Sequence, residues 1–213
     1  MTELSLIAKV TIVLAASLAL TRVAARASAA MRSLILTSAF GVLLALPLFS
    51  FALSPMAVAV PVPATSVIAM RETAHATQDA ISIAFWLRAA WLIGSFALLL
   101  RIGNAICRAR VMRNTAIRWL ACDALVTELA RDAGVSRSIE TRLRDDARAP
   151  LTMGLVRPAI VLPVDAHTWP DGDIRRALAH EIEHIRRNDW TVHMLARVVC
   201  AIYWFHPLVW VAW

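Results

Sequence analysis

Along the first hundred positions apolar residues come in long blocks with no polar face between them, the pattern of helices surrounded by hydrocarbon on every side. Leu4–Leu20 is apolar apart from Lys9 and small hydroxyls, Leu34–Leu53 is a second block and Ile81–Leu100 a third. Each is near the roughly 20 residues that an α-helix needs to cross a bilayer. The pattern predicts transmembrane helices at about 4–20, 34–53 and 81–100, within a membrane region spanning 1–103. Ser54–Ala80 contains Pro55, Pro61 and Pro63 and is expected to be an extended, non-helical connection.

Between 104 and 189 the pattern becomes that of a small soluble domain, most clearly from Trp119 to Ile185. Leu120, Leu125, Val126 and Leu129 recur at helical spacing and Gly134 closes that helix. Ser138–Arg144 alternates like a short strand, and Leu151–Leu162 holds β-branched residues bounded by Gly154 and Pro163. Asp171–Asp189 reads as one helix, with Asp171 and Asp173 as start signals and Ala177, Leu178, Ile182 and Ile185 toward a core. The final stretch, 190–213, is an apolar helix that either lies at the membrane surface or is embedded in it. The interfacial form buries Val198, Val199 and Ile202 and turns at Pro207, with Trp204, Trp210 and Trp213 in an aromatic belt.

Composition agrees with a membrane setting: of 213 residues 59% are hydrophobic and 17% charged, and the mean hydropathy is +0.63. Arginine placement sets the topology. The first connection carries Arg22, Arg26 and Arg32 without an acid, the second balances Arg71 against Glu72 and Asp79, and Arg101, Arg108, Arg110, Arg113 and Arg118 follow the third block. By the positive-inside rule the first connection and everything after 101 face the cytoplasm. Because Glu3 and not a basic cluster precedes the first block, that block is expected to be a retained helix with its N-terminus outside rather than a cleaved signal. The expectation is a multi-pass membrane protein. The net charge of +7 is explained by lipid-facing arginines, so direct binding of nucleic acid is not expected. Cys107, Cys122 and Cys200 are too far apart for a zinc ribbon or redox pair and are expected as buried or reduced thiols.

The chemistry is concentrated in His180-Glu181-Ile182-Glu183-His184. Histidines four apart leave one face of a helix about a turn from each other, within reach of one zinc ion. Glu181 beside them is placed to act as general base toward a zinc-activated water. Glu183 is expected to be a solvated carboxylate pairing with Arg186 or Arg187. His167, His193 and His206 are expected in structural or interfacial roles. Ile160, Val161 and Leu162 are the candidate edge strand for holding an extended substrate, with plain core structure as the equal alternative.

Gly154-Leu155-Val156-Arg157-Pro158-Ala159-Ile160-Val161-Leu162-Pro163, then His180–His184 with Arg187 and Asp189, then Trp204-Phe205-His206-Pro207-Leu208-Val209-Trp210 resemble, in this order, the BlaR/MecR family of integral-membrane zinc metallopeptidases. The resemblance covers roughly 85–213. It implies a mainly α membrane protein: three N-terminal transmembrane helices, a small α+β zincin-like cytoplasmic domain at 104–189 and a C-terminal apolar helix. It also implies zinc held by His180 and His184, Glu181 as base, and Asp189 orienting the site from behind a ligand. The implied activity is that of an antirepressor, a signal-transducing protease that hydrolyses a cytoplasmic repressor protein. The third ligand implied is a glutamate on a helix after the tryptophan-rich motif, beyond Trp213. No Ser-any-any-Lys module of a penicillin-binding sensor occurs in the sequence, so sensing of β-lactams is not implied. Two other readings stay open, a non-catalytic signalling or scaffold fragment with an incomplete metal site and an HtpX-like quality-control zinc protease. Homodimerisation through the membrane helices is a further expectation without a strong small-residue motif behind it.

Overall fold

Apolar runs without an acid at 4–52 and 80–115 make up most of three long helices in the computed structural model, which describes residues 3–52 and 69–213. They are α1 (Glu3–Val23), α2 (Ala29–Ala52) and α3 (Ala69–Thr115). Segments of all three, Ser5–Arg26, Ala30–Pro47 and Ile83–Thr115, are long and apolar enough to cross a membrane. Pro55, Pro61 and Pro63 lie outside the described residues.

The third helix departs from expectation at both ends. Residues 69–80, expected as extended chain, are helical, because the prolines end at Pro63 and Met, Arg, Glu, Ala and Gln favour the helix. At the other end the arginine-rich stretch continues the helix to Thr115. Its end is met by arginine side chains from a strand.

The chain divides into two compact units, 1–100 with 196–213, and 101–195. In the first, Val10, Leu14, Phe40 and Leu43 are buried between helices. The tail beyond 189 is two helices, α6 (Asp189–Ile202) and α7 (Pro207–Ala212), with the predicted turn at Pro207. The turn is stitched to each long helix in succession. Tyr203 Oη donates to the Leu43 carbonyl of α2 (2.9 Å). The Trp204 indole donates to Trp91 O of α3 (3.4 Å), and Trp91 donates to Ile202 O (2.7 Å). Thr11 Oγ1 of α1 gives its hydrogen to Ile7 O, so it accepts from His206 Nε2 at 3.0 Å. Gly94 is required here, since a Cβ on it would stand 2.6 Å from the Trp204 ring.

In the second unit β1 (Ile117–Arg118), α4 (Asp123–Asp132), β2 (Glu140–Arg144), β3 (Leu151–Met153), β4 (Ala159–Pro163) and α5 (Asp171–Arg186) follow α3. The strands form one sheet in the order β1-β2-β4-β3, with β2 and β4 parallel and the outer pairs antiparallel. The expected strand pair is therefore extended by a two-residue strand too short to leave a sequence pattern, and the 151–162 run is two strands joined by a turn. Ile160 and Leu162 point to one face and pack with Val126 and Ala130 of α4 and Leu178, Ile182 and Ile185 of α5. Val161 points to the other face, with Met153 and Ala159.

The β2 strand alternates buried Thr141 and Leu143 with partly exposed Glu140, Arg142 and Arg144. These two arginines donate to acceptors at the end of α3, where intrahelical partners run out. Arg142 donates to Arg113 O (2.8 Å) and Ala116 O (3.1 Å), and Arg144 to Met112 O (3.1 Å) and Thr115 Oγ1 (2.7 Å). Glu140 accepts from both Arg113 and Arg142 at 2.9 Å; the Arg113 hydrogen bond is the largest influence holding its carboxyl below the usual range, against the opposing effect of burial.

The edge-strand expectation for Ile160, Val161 and Leu162 is corrected by this topology. They occupy β4, hydrogen-bonded to β2 on one side and β3 on the other, and none is exposed. Their uninterrupted apolar run marks a strand buried on both faces, and the pairing with β2 and β3 places it inside the sheet. The sheet edge on that side is β3, Leu151–Met153.

Candidate metal centre

The motif lies on α5, which starts at Asp171 behind Pro170 and buries Ile174, Leu178, Glu181, Ile182 and Ile185 along one stripe. That stripe fixes the rotation of the helix against the sheet, and the rotation presents His180 and His184 together at its border. Their rings are 4.8 Å apart, centre to centre, and nearly perpendicular (88°). The two Nε2 atoms face each other at 3.3 Å. Two nitrogens bound at about 2.0–2.1 Å to a tetrahedral zinc are separated by about 3.3–3.4 Å, so the spacing of the pair matches that of two imidazoles on one zinc ion.

Asp189 completes the orientation of His184. Its Oδ2 accepts from His184 Nδ1 at 2.7 Å, which fixes the tautomer and leaves the Nε2 lone pair for a metal. The expected single helix to Asp189 is interrupted in the structure: α5 ends at Arg186, and Asn188 adopts a left-handed conformation (φ 56°) before α6 starts at Asp189. Asn tolerates that region better than other side chains with a Cβ. The corner folds Asp189 back beside the metal helix, where Arg187 Nε also reaches its Oδ1 at 3.4 Å.

The corner is braced by Arg137, which sequence reading did not single out. Its guanidinium donates to Ile185 O and Asn188 Oδ1, both at 2.8 Å, and to Leu155 O at 3.3 Å. Thr152 on β3 was missed as well; its hydroxyl donates to Glu181 Oε2 at 2.7 Å, with Glu181 O at 3.2 Å. Neither residue belongs to a local motif, and no spacing in the chain would have singled out either one. A shallow cleft beside the site is lined by Thr152, Gly154, Leu155, His184, Trp190 and Thr191.

Among the described residues, His180, Glu181 and His184 are the one group of three potential metal ligands whose donor atoms lie within 4.8 Å of one another. His167 and His206 are held elsewhere, His167 Nδ1 by Val164 O and His206 Nε2 by Thr11. Glu183 points away and forms a two-pronged pair with Arg186, both contacts at 2.6 Å; that hydrogen bond holds its carboxyl below the usual range. Two imidazoles four residues apart on one helix, with a carboxylate beside them, are donors that zinc accepts.

A 63-residue stretch is 35% identical to the Regulatory protein BlaR1 of Bacillus licheniformis, covering 30% of this chain and 10% of that protein. Over 139 residues the chain is 24% identical to the Methicillin resistance mecR1 protein of Staphylococcus aureus, covering 62% of this chain and 23% of the relative, and the same holds for the Staphylococcus epidermidis protein. The aligned stretch thus covers about a tenth to a quarter of the length of these curated relatives. Residues 3–213 match the family profile described as BlaR1 peptidase M56, and with the metal helix, its preceding sheet and three apolar helices in place, this chain belongs to that family.

Proposed function

We propose that this chain contributes the membrane anchor and the zinc-binding, base-bearing part of a metallopeptidase of the antirepressor signalling type, whose substrate is a cytoplasmic repressor protein. The observation that carries this reading is the 3.3 Å approach of two imidazole Nε2 atoms beside a buried glutamate. When bound, zinc supplies a Lewis acid for the scissile carbonyl and lowers the pKa of water.

The protein residues do the rest. His180 and His184 hold the ion, and Asp189 keeps His184 in the metal-binding tautomer. Glu181, with Oε2 engaged by Thr152, keeps Oε1 to take a proton from the attacking water and return it to the leaving amine. The β3 edge is the place for an extended substrate segment, since it borders the metal helix and has a sheet partner on one side only. The third protein ligand is assigned by the resemblance to a glutamate following the Trp204–Trp210 motif. We further propose that residues after 101 face the cytoplasm of a bacterial-type inner membrane.

The alternative is a membrane signalling module that keeps the fold without turnover. It is favoured by one observation: among the described residues, only two histidines and the adjacent glutamate converge, whereas catalytic zinc normally has three protein ligands. Zinc analysis and a peptide-cleavage assay of the detergent-purified full-length protein test both. About one zinc per chain is expected, lost in His184→Ala and kept in Glu181→Gln, with peptide cleavage abolished in both variants. A folded parent chain without zinc would remove the enzyme reading; zinc without cleavage would favour the signalling module.

A further inference from the structure

Glu181 is a carboxylate with only 6% of its surface exposed. A buried carboxylate needs hydrogen-bond donors to replace water, and among the described residues the side-chain donor to it is Thr152. The threonine is a partly buried residue of the edge strand β3. Its neighbours Leu151 and Met153 turn to the opposite face with Ala159 and Val161. Thr152 turns toward α5, paired in register with Ile160, a residue of the main core. A valine there would leave Glu181 Oε2 without this donor, so the hydroxyl supplies what packing alone does not.

We propose that Thr152 is the positioning residue for Glu181: it binds Oε2, fixes the carboxylate rotamer and leaves Oε1 directed to the reacting water. Because Thr152 lies on the sheet edge, the same residue ties the strand that would align substrate to the group that moves the proton. The inference rests on the reading of Glu181 as general base.

Thr152→Val and Thr152→Ser in the full chain, loaded with zinc in detergent, provide the test. Turnover is read on a mixture of internally quenched peptides, and the Glu181 carboxylate is read by infrared spectroscopy of chain carrying ¹³C-labelled glutamate, its band assigned by loss in Glu181→Gln. Thr152→Val is expected to keep zinc and the thermal midpoint, leave KM unchanged and lower kcat by about 10²-fold, the scale of a misplaced reacting group. It should also shift the Glu181 band, and Thr152→Ser should restore both.

An unchanged kcat and band in Thr152→Val would overturn the inference while leaving the base reading intact, provided Glu181→Gln is inactive. Parallel loss of zinc and turnover in the valine and serine variants would overturn it too, by showing a packing role. If the parent cleaves no peptide, the enzyme reading fails separately and the band decides: a shift in the valine variant reversed by serine upholds Thr152 as the group that orients Glu181, and an unmoved band refutes it.

Discussion

Asp189 follows His184 by five residues, a spacing that on a continuous helix turns the two side chains more than a quarter-turn apart. The left-handed Asn188 breaks the helix and brings the pair to 2.7 Å. This contact fixes which imidazole nitrogen is free, so its loss acts on the metal first. Asp189→Asn is expected to weaken zinc binding by about 10- to 100-fold with the fold intact, measured by competition with a chromophoric chelator; unchanged affinity would mean that Asp189 serves only the corner. At the same scale Glu183 and Glu181 differ by two positions and by everything that matters chemically. One is at the surface with Arg186, and the other is buried against Thr152. Sequence spacing placed His180, Glu181 and His184 together because helical geometry is local. It could not identify Thr152 or Arg137, whose partners lie 29 and up to 51 residues away.

The elements hold the site through the sheet. The β3–β4 turn begins at Gly154, with φ +99°, where a Cβ would stand 2.6 Å from the Arg157 carbonyl oxygen. Gly154→Ala therefore meets both backbone strain and a clash with main chain that has no rotamer to escape into. A destabilisation of about 1–3 kcal/mol is expected, read as a lowered denaturation midpoint of the full chain; an unchanged midpoint would show that the turn relaxes freely. The strands also explain which sequence expectations failed. Ile160–Leu162 was correctly expected to be extended, but its position in the sheet depends on β2 and β3, one of them preceding it by many residues. Alternation in a strand tells how many faces are buried and is silent on its neighbours. The helical continuation of α3 to Thr115 was hidden for a similar reason. Arg142 and Arg144 cap it from β2, and nothing within α3 announces them.

For the whole molecule, charge placement is the strongest remaining guide. Arginines flank the apolar helices on the connections assigned to the inside, while the Ser54–Ala80 connection is nearly balanced. An exposed position in the second unit, Arg131→Cys in a background of Cys107→Ser, makes this checkable with a membrane-impermeant maleimide. Labelling is expected in inside-out vesicles and not in right-side-out vesicles, and the reverse pattern would invert the proposed topology. Cys122 and Cys200 are buried, so they contribute little background.

The sequence alone determined the apolar helices, the family resemblance and the pairing of His180 with His184, because each depends on hydrophobicity summed over a segment or on spacing within one helix. The tertiary structure alone decided that Ile160–Leu162 is interior, that β3 is the edge beside the metal helix, that Tyr203, Trp204 and His206 bond to three different helices, and that Thr152 meets Glu181. Those facts depend on contacts between segments far apart in the chain, whose free energy is set by shape and burial after folding and leaves no periodic mark along the sequence.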